Sequence, residues 1–346
     1  MTNLYKIAVG FRASNVNPGV ISRACIDRVI EPLDFLKSLN IVDYKYAKSP
    51  KDLESLKQEG YTFFMCNKSL SKYEYELIKY AKKLGYITLY DVDDYIFEYP
   101  SYSNANSSSV KVEEFTKIAD CITVANERLF YAFQPYGITR LICNTYNFKK
   151  YSAHNNQKSY TSRKVVITNA DNFKLTHFRQ DFFSLLRKMI TEKEISELHV
   201  FADFLPDELD FPGIHYHGYV EAEKHRRILS EQDFHLALVP IDSGNSYKDW
   251  NFNSSKNPFK YFIYGTSKVP AIYSNIAFYT LHIQDEYNGK VVSNNLSSWK
   301  ESMLLLLNNP LMCSSIASNA FLNMKEQFDI ATMKRQYTDL FNELTK

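Results

Sequence analysis

Short apolar runs alternate with segments of helical periodicity along almost the whole chain. The apolar runs predict buried parallel strands at residues 5–10, 61–66, 86–91, 121–125, 141–144, 164–169, 198–202, 214–217, 234–240 and 269–273. Between them, the spacing of apolar residues predicts helices at residues 21–39, 72–84, 181–190, 221–230, 258–265 and 296–308, and a further helix near Asn126. This alternation predicts right-handed βαβ units and an α/β fold whose parallel sheets are covered on both faces.

A polar segment divides the alternation into two halves. Residues 147–163 carry no apolar periodicity, and the strand–helix order restarts at Lys164. We therefore expect two Rossmann-like, doubly wound domains that face a cleft, over residues 1–148 and 164–328, joined by a linker over 149–163. A last helix, over 329–346, is expected to pack back on the N-terminal domain. Doubly wound sheets bind ligands at the carboxyl ends of their strands, so the loops there are the candidate site.

Composition narrows the range of partners. The 346 residues include 41 Lys and Arg against 39 Asp and Glu, a net charge of +2, which argues against nucleic acid. The five cysteines lie far apart without paired spacing, and reduced thiols are expected. The sequence shows neither a signal-peptide pattern nor an apolar run of about 18 residues. We therefore expect a cytoplasmic protein, and association with the inner face of a membrane is compatible with this pattern.

Three carboxylates, Asp91, Asp93 and Asp94, stand at the end of a predicted strand. Carboxylates at this edge of a sheet can orient or deprotonate a hydroxyl group of a ligand. Two alternatives remain open. Asp91 and Asp93 form a DxD pair that can hold a divalent cation on a diphosphate, or the three carboxylates form a capping or solvated turn.

Basic residues stand in two loops that the topology places at the cleft. Arg12 follows the first strand and precedes a predicted helix, where a guanidinium can pair with a phosphate. An ordinary surface arginine is the alternative. Lys256 and Lys260 lie four residues apart at the start of a predicted helix. They can clamp a diphosphate together with the helix N-terminus, or they can form one solvated helical face.

Histidines are weaker candidates. His177 follows the first strand of the second half, and His215 and His217 alternate onto the same side of a short strand. A single histidine is more often structural than catalytic. No three histidines, and no two histidines with a carboxylate, have the sequence spacing of a metal site, so no metal ion is expected.

Several motifs in a fixed order carry a family resemblance. They are residues 90–94, Thr168-Asn169, His177, Arg179 and Asp181, the strand Ala237-Leu238-Val239-Pro240, the block Phe252-Asn253, Lys256-Asn257-Pro258, Lys260, Tyr264 and Pro270, then Ser274, Tyr279, Asn288-Gly289 and Trp299. Through them the chain resembles the GT-B glycosyltransferases of the group that includes the retaining family 4 (group 1) enzymes. It is most similar to the bacterial polysaccharide and O-antigen branch.

The resemblance implies transfer of a hexose, with retention, from a nucleotide-sugar to a glycan or lipid-linked acceptor in surface-polysaccharide synthesis. The donor is then expected mainly on the C-terminal domain and the acceptor on the N-terminal one. Asp93 or Asp94 would act on the acceptor hydroxyl, and Lys260 would stabilise the leaving diphosphate, which makes these three the expected catalytic residues. The expected donor-binding residues are Arg12, Thr168, Asn169, His177, Asn253, Lys256, Lys260, Tyr264, Ser274 and Tyr279.

The chain departs from the family pattern at Cys143, Phe234 and Ile263, and the departure at Ile263 bears on donor binding. The family has at this position a Glu that contacts the donor ribose, whereas an aliphatic side chain accepts no hydrogen bond. Two other functions therefore stay open. One is a non-catalytic glycan-binding or scaffold subunit, and the other is a nucleotide-sugar epimerase on the same fold, which needs no acceptor.

Overall fold

Two six-stranded parallel sheets form the framework of the molecule. The structure is a computed structural model that describes residues 4–10, 21–100, 110–151, 157–168, 175, 177–242, 244 and 246–346. The first sheet contains β1 (Tyr5–Gly10), β2 (Val42–Ala47), β3 (Phe63–Asn67), β4 (Ile87–Val92), β5 (Cys121–Val124) and β6 (Thr139–Leu141). The second contains β7 (Lys164–Thr168), β8 (Glu197–Phe201), β9 (Ile214–Tyr216), β10 (Leu236–Val239), β11 (Ala271–Ser274) and β12 (Lys290–Val292).

Both sheets have a doubly wound strand order. The orders are β2-β1-β3-β4-β5-β6 and β12-β11-β10-β7-β8-β9. All pairs of neighbouring strands are parallel. These sheets confirm the predicted α/β fold with two Rossmann-like units.

Helices connect the strands. The first half contains α1 (Arg23–Cys25), α2 (Glu31–Ser38), α3 (Pro50–Gln58), α4 (Lys72–Lys83), α5 (Val112–Ile118), α6 (Glu127–Phe133) and α7 (Phe148–Tyr151). The remainder contains α8 (Arg179–Thr191), α9 (Ala222–Glu231), α10 (Tyr247–Ser254), α11 (Phe259–Thr266), α12 (Ala277–Thr280), α13 (Leu296–Leu307), α14 (Pro310–Gln327) and α15 (Met333–Leu344). Among the described helices, none combines the length and the apolar composition that crossing a bilayer requires.

The hydrophobic pattern does not predict the strands β2 and β12 or the helices α3, α5, α7, α10, α12 and α14. The two strands lie at sheet edges, and β2 exposes part of its middle residues, so neither gives a long apolar run. The buried positions of α10 are mostly polar and include Asp249, Asn251 and Asn253. Hydrophobic periodicity therefore carries no signal for this helix.

Apolar clusters cover both faces of each sheet. In β1, Ile7 and Val9 join one cluster while Ala8, between them, joins the other. In β7, Val165 and Val166 likewise face opposite clusters. Because successive side chains of a strand point to opposite faces, this pattern shows that the interior strands are buried on both sides.

The helical segment after β1 is held by the C-terminal helix α15. Residues Ile26–Ile30 form a π-helical turn between α1 and α2. Pro32 follows this turn and has no amide hydrogen for the carbonyl of Arg28, four residues earlier. The hydroxyl of Tyr337 in α15 donates to that carbonyl at 3.3 Å. Phe341 of α15 packs in the same apolar cluster as β1, so the end of the chain lies against the first sheet.

A buried ion pair ties the π-helical turn to the centre of the first sheet. Arg28 Nη2 lies 2.6 Å from Asp91 Oδ1, and both side chains are almost completely buried. Asp91 pairs in register with Asn67 of β3 and Thr123 of β5, and it accepts a hydrogen bond from each at 2.8 Å. Arg28 also donates to the carbonyl of Ile142 at 2.7 Å. Burial alone would lower the pKa of Arg28, but Asp91 raises it above its usual range.

Replacing Asp91 with Ala is expected to lower the free energy of unfolding by about 3–5 kcal/mol, because Arg28 stays buried as an unpaired cation. Urea titration of the variant and the parent protein measures the difference. Glu76→Ala is the matched control, since it breaks an exposed pair with Lys79 and should cost at most about 1 kcal/mol. Equal losses in the two variants would contradict a structural role for the buried pair.

Candidate active site

A cavity of about 370 Å³ lies between the two sheets, beside the carboxyl ends of β4, β7, β8 and β10. On the side of the first sheet its wall includes Asp27, Asp93 and Asp94. The opposite wall includes Thr168, Phe201, His225, Lys256, Lys260, Ile263 and Tyr279. This volume is within the range of small-molecule sites, roughly 300–1,000 Å³.

The acidic turn after β4, formed by Asp93 and Asp94, presents both of its carboxylates to this cavity. Lys68, which follows β3, places its Nζ 3.0 Å from Asp93 Oδ1 and also pairs with Asp94. Asp93 Oδ1 is buried, and this lysine is its ion-pair partner. Asp91 instead points into the protein, where Arg28 and two polar side chains occupy its oxygens. Asp91 therefore does not join Asp93 among the lining residues of this cavity, whereas the DxD alternative needs both carboxylates on one ion.

Lys256 crosses the cleft from the second half to this acidic turn. Its Nζ lies 3.2 Å from Asp94 Oδ1 and 4.0 Å from the centre of the Phe252 ring. The next residue, Asn257, donates from Nδ2 to the Asp93 carbonyl at 2.7 Å. The connection between α10 and α11 is thus held against the first half, and it sets the position of α11.

Lys260 is the second residue of α11 and reaches the same wall as Lys256. Ile263 follows one helical turn later and also lines the cavity, as the i, i+3 spacing requires. Tyr279, which packs on Phe278 at 4.1 Å between ring centres, completes this side. The cavity wall near the start of α11 is therefore cationic at Lys260 and apolar at Ile263.

A buried tyrosine, Tyr264, holds the end of β7 in place. The Thr168 amide donates to the Tyr264 hydroxyl at 3.1 Å, and the Thr168 hydroxyl lies 3.0 Å from His225 Nε2. Burial raises the pKa of Tyr264, so its hydroxyl stays neutral. Thr168 and His225 line the cavity. Tyr264, a buried residue of α11, does not line it and holds Thr168 through the hydrogen bond to its amide.

Three other sequence-predicted residues hold the loop after β10 instead of lining the cavity. Asn253 Nδ2 donates to the Asp242 carbonyl at 2.9 Å, and the His177 amide donates to Asp242 Oδ2 at 3.0 Å. The Ser274 hydroxyl accepts from the Ile241 amide at 2.8 Å. These contacts fix the loop after β10, and the donor-binding role expected of the three residues stays a prediction.

Of the predicted site residues, Asp93, Asp94, Thr168, Lys256, Lys260 and Tyr279 meet at the cavity. Arg12 and Asn169 lie outside the described residues. The roles assigned to all of these residues stay predictions.

Sequence reasoning misses two cations of the cleft, Lys68 and Arg226. Arg226 of α9 is buried, and its Nη2 lies 3.0 Å from Asp27 Oδ1 on the opposite side of the cleft. It also contacts Glu31 at 3.4 Å and lies 3.7 Å above the ring of Tyr151. Lys68 directly follows the carboxyl end of β3, so a search of the loops after the strands could have identified it. Arg226 lies within a helix, and its partners come from a segment about 200 residues away.

Strand pairing also assembles an ionisable cluster that sequence spacing does not show. Glu197 and His199 of β8 meet His215 of β9, with their ligand atoms within 4.8 Å of one another. Burial lowers the pKa of His199, and the hydrogen bond with Glu197 offsets part of this change. These three residues do not belong to the cavity wall.

Neither a protein-family profile nor a curated protein sequence matches this chain. Solved structures do match. HepE from Anabaena, in complex with UDP, has a TM-score of 0.66 at 12% identity over 98% of this chain and 100% of that one. Sucrose-phosphate synthase from Thermosynechococcus elongatus has a TM-score of 0.65 at 14% identity over 99% of each chain. TarM, from S. aureus, has a TM-score of 0.58 at 15% identity over 81% of this chain and 54% of TarM.

A chain assigned as UDP-N-acetylglucosamine 2-epimerase, from Listeria monocytogenes, has a similar architecture. Its TM-score is 0.57 at 10% identity over 97% of this chain. Identities this low establish architecture and not activity. With its two parallel sheets and the cavity between them, the chain has the GT-B fold.

Ser274→Ala is expected to lower the free energy of unfolding by about 1–3 kcal/mol while changing nucleotide affinity less than about twofold. The hydroxyl lies outside the cavity and bridges the Ile241 amide to Asn294 Oδ1, so its loss leaves buried polar groups without partners. Chemical denaturation and calorimetric titration with nucleoside diphosphates measure the two quantities. Ser297→Ala, at an exposed position, should change neither. A large loss of affinity with unchanged stability would instead make Ser274 a ligand contact.

Proposed function

We propose that this chain is a glycosyltransferase that moves a sugar from a nucleotide-activated donor to a glycan or lipid-linked acceptor. The observation that carries the proposal is the opposite charge of the two cavity walls. Lys256 and Lys260 stand on one side, and Asp93 and Asp94 on the other. Glycosyl transfer uses both charges, because a cation stabilises the leaving diphosphate and a carboxylate acts on the attacking hydroxyl. HepE, which has the same fold, forms complexes with UDP and UDP-glucose.

The donor diphosphate is proposed to bind at the start of α11. Lys260 supplies the positive charge there, and the first turn of a helix offers amide groups from which an anion can accept hydrogen bonds. The donor sugar then extends toward Asp93 and Asp94. A fixed ammonium is most useful when negative charge develops on the leaving group, which gives Lys260 a role in the transition state.

The acceptor hydroxyl is proposed to meet Asp93 or Asp94. Asp93 lines the wall, and its Oδ1 pairs with the Lys68 ammonium at 3.0 Å. A carboxylate has further lone pairs, so Asp93 can still accept a hydrogen bond from an incoming hydroxyl. Asp94 contacts Lys68 and Lys256 together. A bound diphosphate offers Lys256 a second anionic partner, and Asp94 keeps Lys68 when Lys256 turns toward the donor.

The finer assignments rest on the family resemblance. We propose transfer of a hexose with retention, in synthesis of a bacterial surface polysaccharide or glycoconjugate, and peripheral contact with the membrane when the acceptor is lipid-linked. We also propose that the transfer needs no metal ion, because Asp91 is committed to Arg28 and leaves Asp93 without its DxD partner. Turnover that persists in EDTA supports this proposal, and turnover that only Mg²⁺ or Mn²⁺ restores contradicts it.

Ile263 favours a second candidate, a glycan-binding subunit without catalysis. Its side chain lines the cavity and can accept no hydrogen bond from a ribose. A binding screen of nucleoside diphosphates, followed by turnover of the matching nucleotide-sugar with and without acceptor glycans, separates the candidates. A transferase consumes donor much faster with acceptor, and an epimerase converts donor without it. A binding subunit retains glycan and converts no donor.

Lys260→Ala is expected to keep the fold and to weaken nucleoside-diphosphate binding by about 10–100-fold, since a charge-assisted contact contributes about 1.5–3 kcal/mol. Isothermal titration calorimetry measures the affinity. Lys268→Ala is the matched control, because Lys268 follows the far end of α11 and places its Nζ over the Phe321 ring, away from the cavity. Unchanged affinity in Lys260→Ala would remove this lysine from the donor site.

Asp93→Asn and Asp94→Asn are expected to lower kcat by about 10²–10⁴-fold in at least one variant, with donor affinity changed far less. The reason is that both carboxylates line the cavity on the side of the first sheet, where the acceptor is proposed to bind. Steady-state kinetics, donor titration and thermal melting on each variant separate chemistry from stability. Near-normal turnover in both variants would make this turn structural and would favour the binding subunit.

A further inference from the structure

Two parallel strands at one edge of the second sheet bring an imidazole-rich cluster together. β9 is the edge strand, and its register on β8 places His215 opposite His199. Glu197 precedes His199 by two residues, so the strand alternation directs both side chains to the same face. The cluster thus arises from strand register, and it lies outside the wall of the cavity between the sheets.

The spacing of the cluster fits a tetrahedral metal ion. Glu197 Oε2 lies 3.0 Å from His199 Nε2 and 3.7 Å from His215 Nε2. In a tetrahedral zinc site with bonds of about 2.0–2.1 Å, neighbouring ligand atoms are about 3.3 Å apart. The two separations that involve Glu197 lie on either side of that value. The rings of His199 and His215 are nearly parallel, with 4.8 Å between their centres, so the exposed His215 ring must rotate to direct its Nε2 at the same ion. The His215 side chain is 51% exposed, which gives an ion access from solvent and leaves room for a water ligand.

A fourth residue, His217, supplies the supporting hydrogen bond that metal-binding histidines usually have. His199 Nδ1 lies 2.9 Å from His217 Nε2. An ion on His199 Nε2 leaves the proton of that ring on Nδ1, from which it donates to His217. Such an outer partner fixes the tautomer and the orientation of the ligating ring.

Without a bound metal ion, the Glu197 carboxylate forms an ion pair with a lysine. Lys164 Nζ lies 3.0 Å from Glu197 Oε2, and its side chain is 37% exposed. An arriving cation competes with this ammonium for the same oxygen. The ammonium can withdraw into solvent, so Lys164 weakens metal binding without blocking it.

We propose that Glu197, His199 and His215 bind one divalent transition-metal ion at the β8–β9 edge, with Zn²⁺ as the best match. Two imidazoles and one carboxylate suit Zn²⁺ and its neighbours in the transition series, whereas Mg²⁺ and Ca²⁺ prefer sites made only of oxygen ligands. This site is separate from the acidic turn, and it takes no part in the proposed transfer reaction.

The test is calorimetric titration of the full-length protein with ZnCl₂ after treatment with EDTA and desalting, together with the visible spectrum of the Co²⁺ form. We expect one ion per chain and the absorption bands of tetrahedral Co²⁺. His215→Ala should weaken Zn²⁺ binding at least about tenfold, since loss of even an outer partner costs about 10–100-fold. Lys164→Gln should tighten binding, because the competing charge is removed.

Tyr216→Ala is the matched control. Tyr216 lies next to His215 on the same strand and is 42% exposed, but it points to the opposite face. It should bind Zn²⁺ as the parent protein does, and thermal melting in EDTA should show that all variants are folded. The proposal is overturned if no stoichiometric binding occurs, if His215→Ala binds as tightly as the parent, or if Tyr216→Ala loses as much affinity as His215→Ala.

Discussion

The buried contact between Arg28 and Asp91 is the constraint on which the rest of the first half depends. Asp91 receives hydrogen bonds from the two neighbouring strands as well as from Arg28, so a single carboxylate joins the ends of three strands. Arg28 in turn reaches the carbonyl of Ile142 beyond the last strand of the sheet. Removing such a pair from water costs free energy, so the pair contributes little net stability. Its main effect is to fix the relative positions of the strands that it joins.

The position of the two carboxylates in the cavity follows from that constraint. Asp91 faces the interior near the end of β4, which ends at Val92. The next two residues, Asp93 and Asp94, therefore lie at the cleft. Lys68 leaves the neighbouring strand β3 at the same edge and meets both of them. The acidic turn is thus held by a lysine from its own sheet and reached by another from the opposite half.

The interior of the fold could be predicted from sequence because interior strands are continuous apolar runs. The edge strands β2 and β12 lack such runs, and α10 buries polar side chains. For α3 and α14 a signal exists that hydrophobic periodicity does not use, since each begins with a proline, Pro50 or Pro310, in its first turn.

The candidate site could be predicted in part, and the reason is again physical. Asp93, Asp94, Lys256 and Lys260 could be identified as charged residues near the cleft, because the order of strands and helices alone determines that their segments lie there. The motifs of the resemblance also contain Asn253, His177 and Ser274, but in this structure these side chains and amides bond to the loop after β10. Membership in a motif therefore does not by itself tell a residue that contacts the ligand from one that holds a loop in place. Arg226 and the cluster at His199 depend on tertiary contacts and on register, which no local pattern encodes.

Polar contacts join the two halves across the cleft, and this has a consequence for motion. Arg128 donates to Asn251 and Ser255, Lys256 pairs with Asp94, and Arg226 pairs with Asp27. When such an interface separates, its charged and amide groups regain water, whereas the apolar cores stay closed within each half. Cleft opening therefore costs far less free energy than unfolding. Dissolved salt screens the nearly buried pairs Lys256–Asp94 and Arg226–Asp27 much less than it screens exposed pairs, so these contacts keep most of their strength at physiological ionic strength.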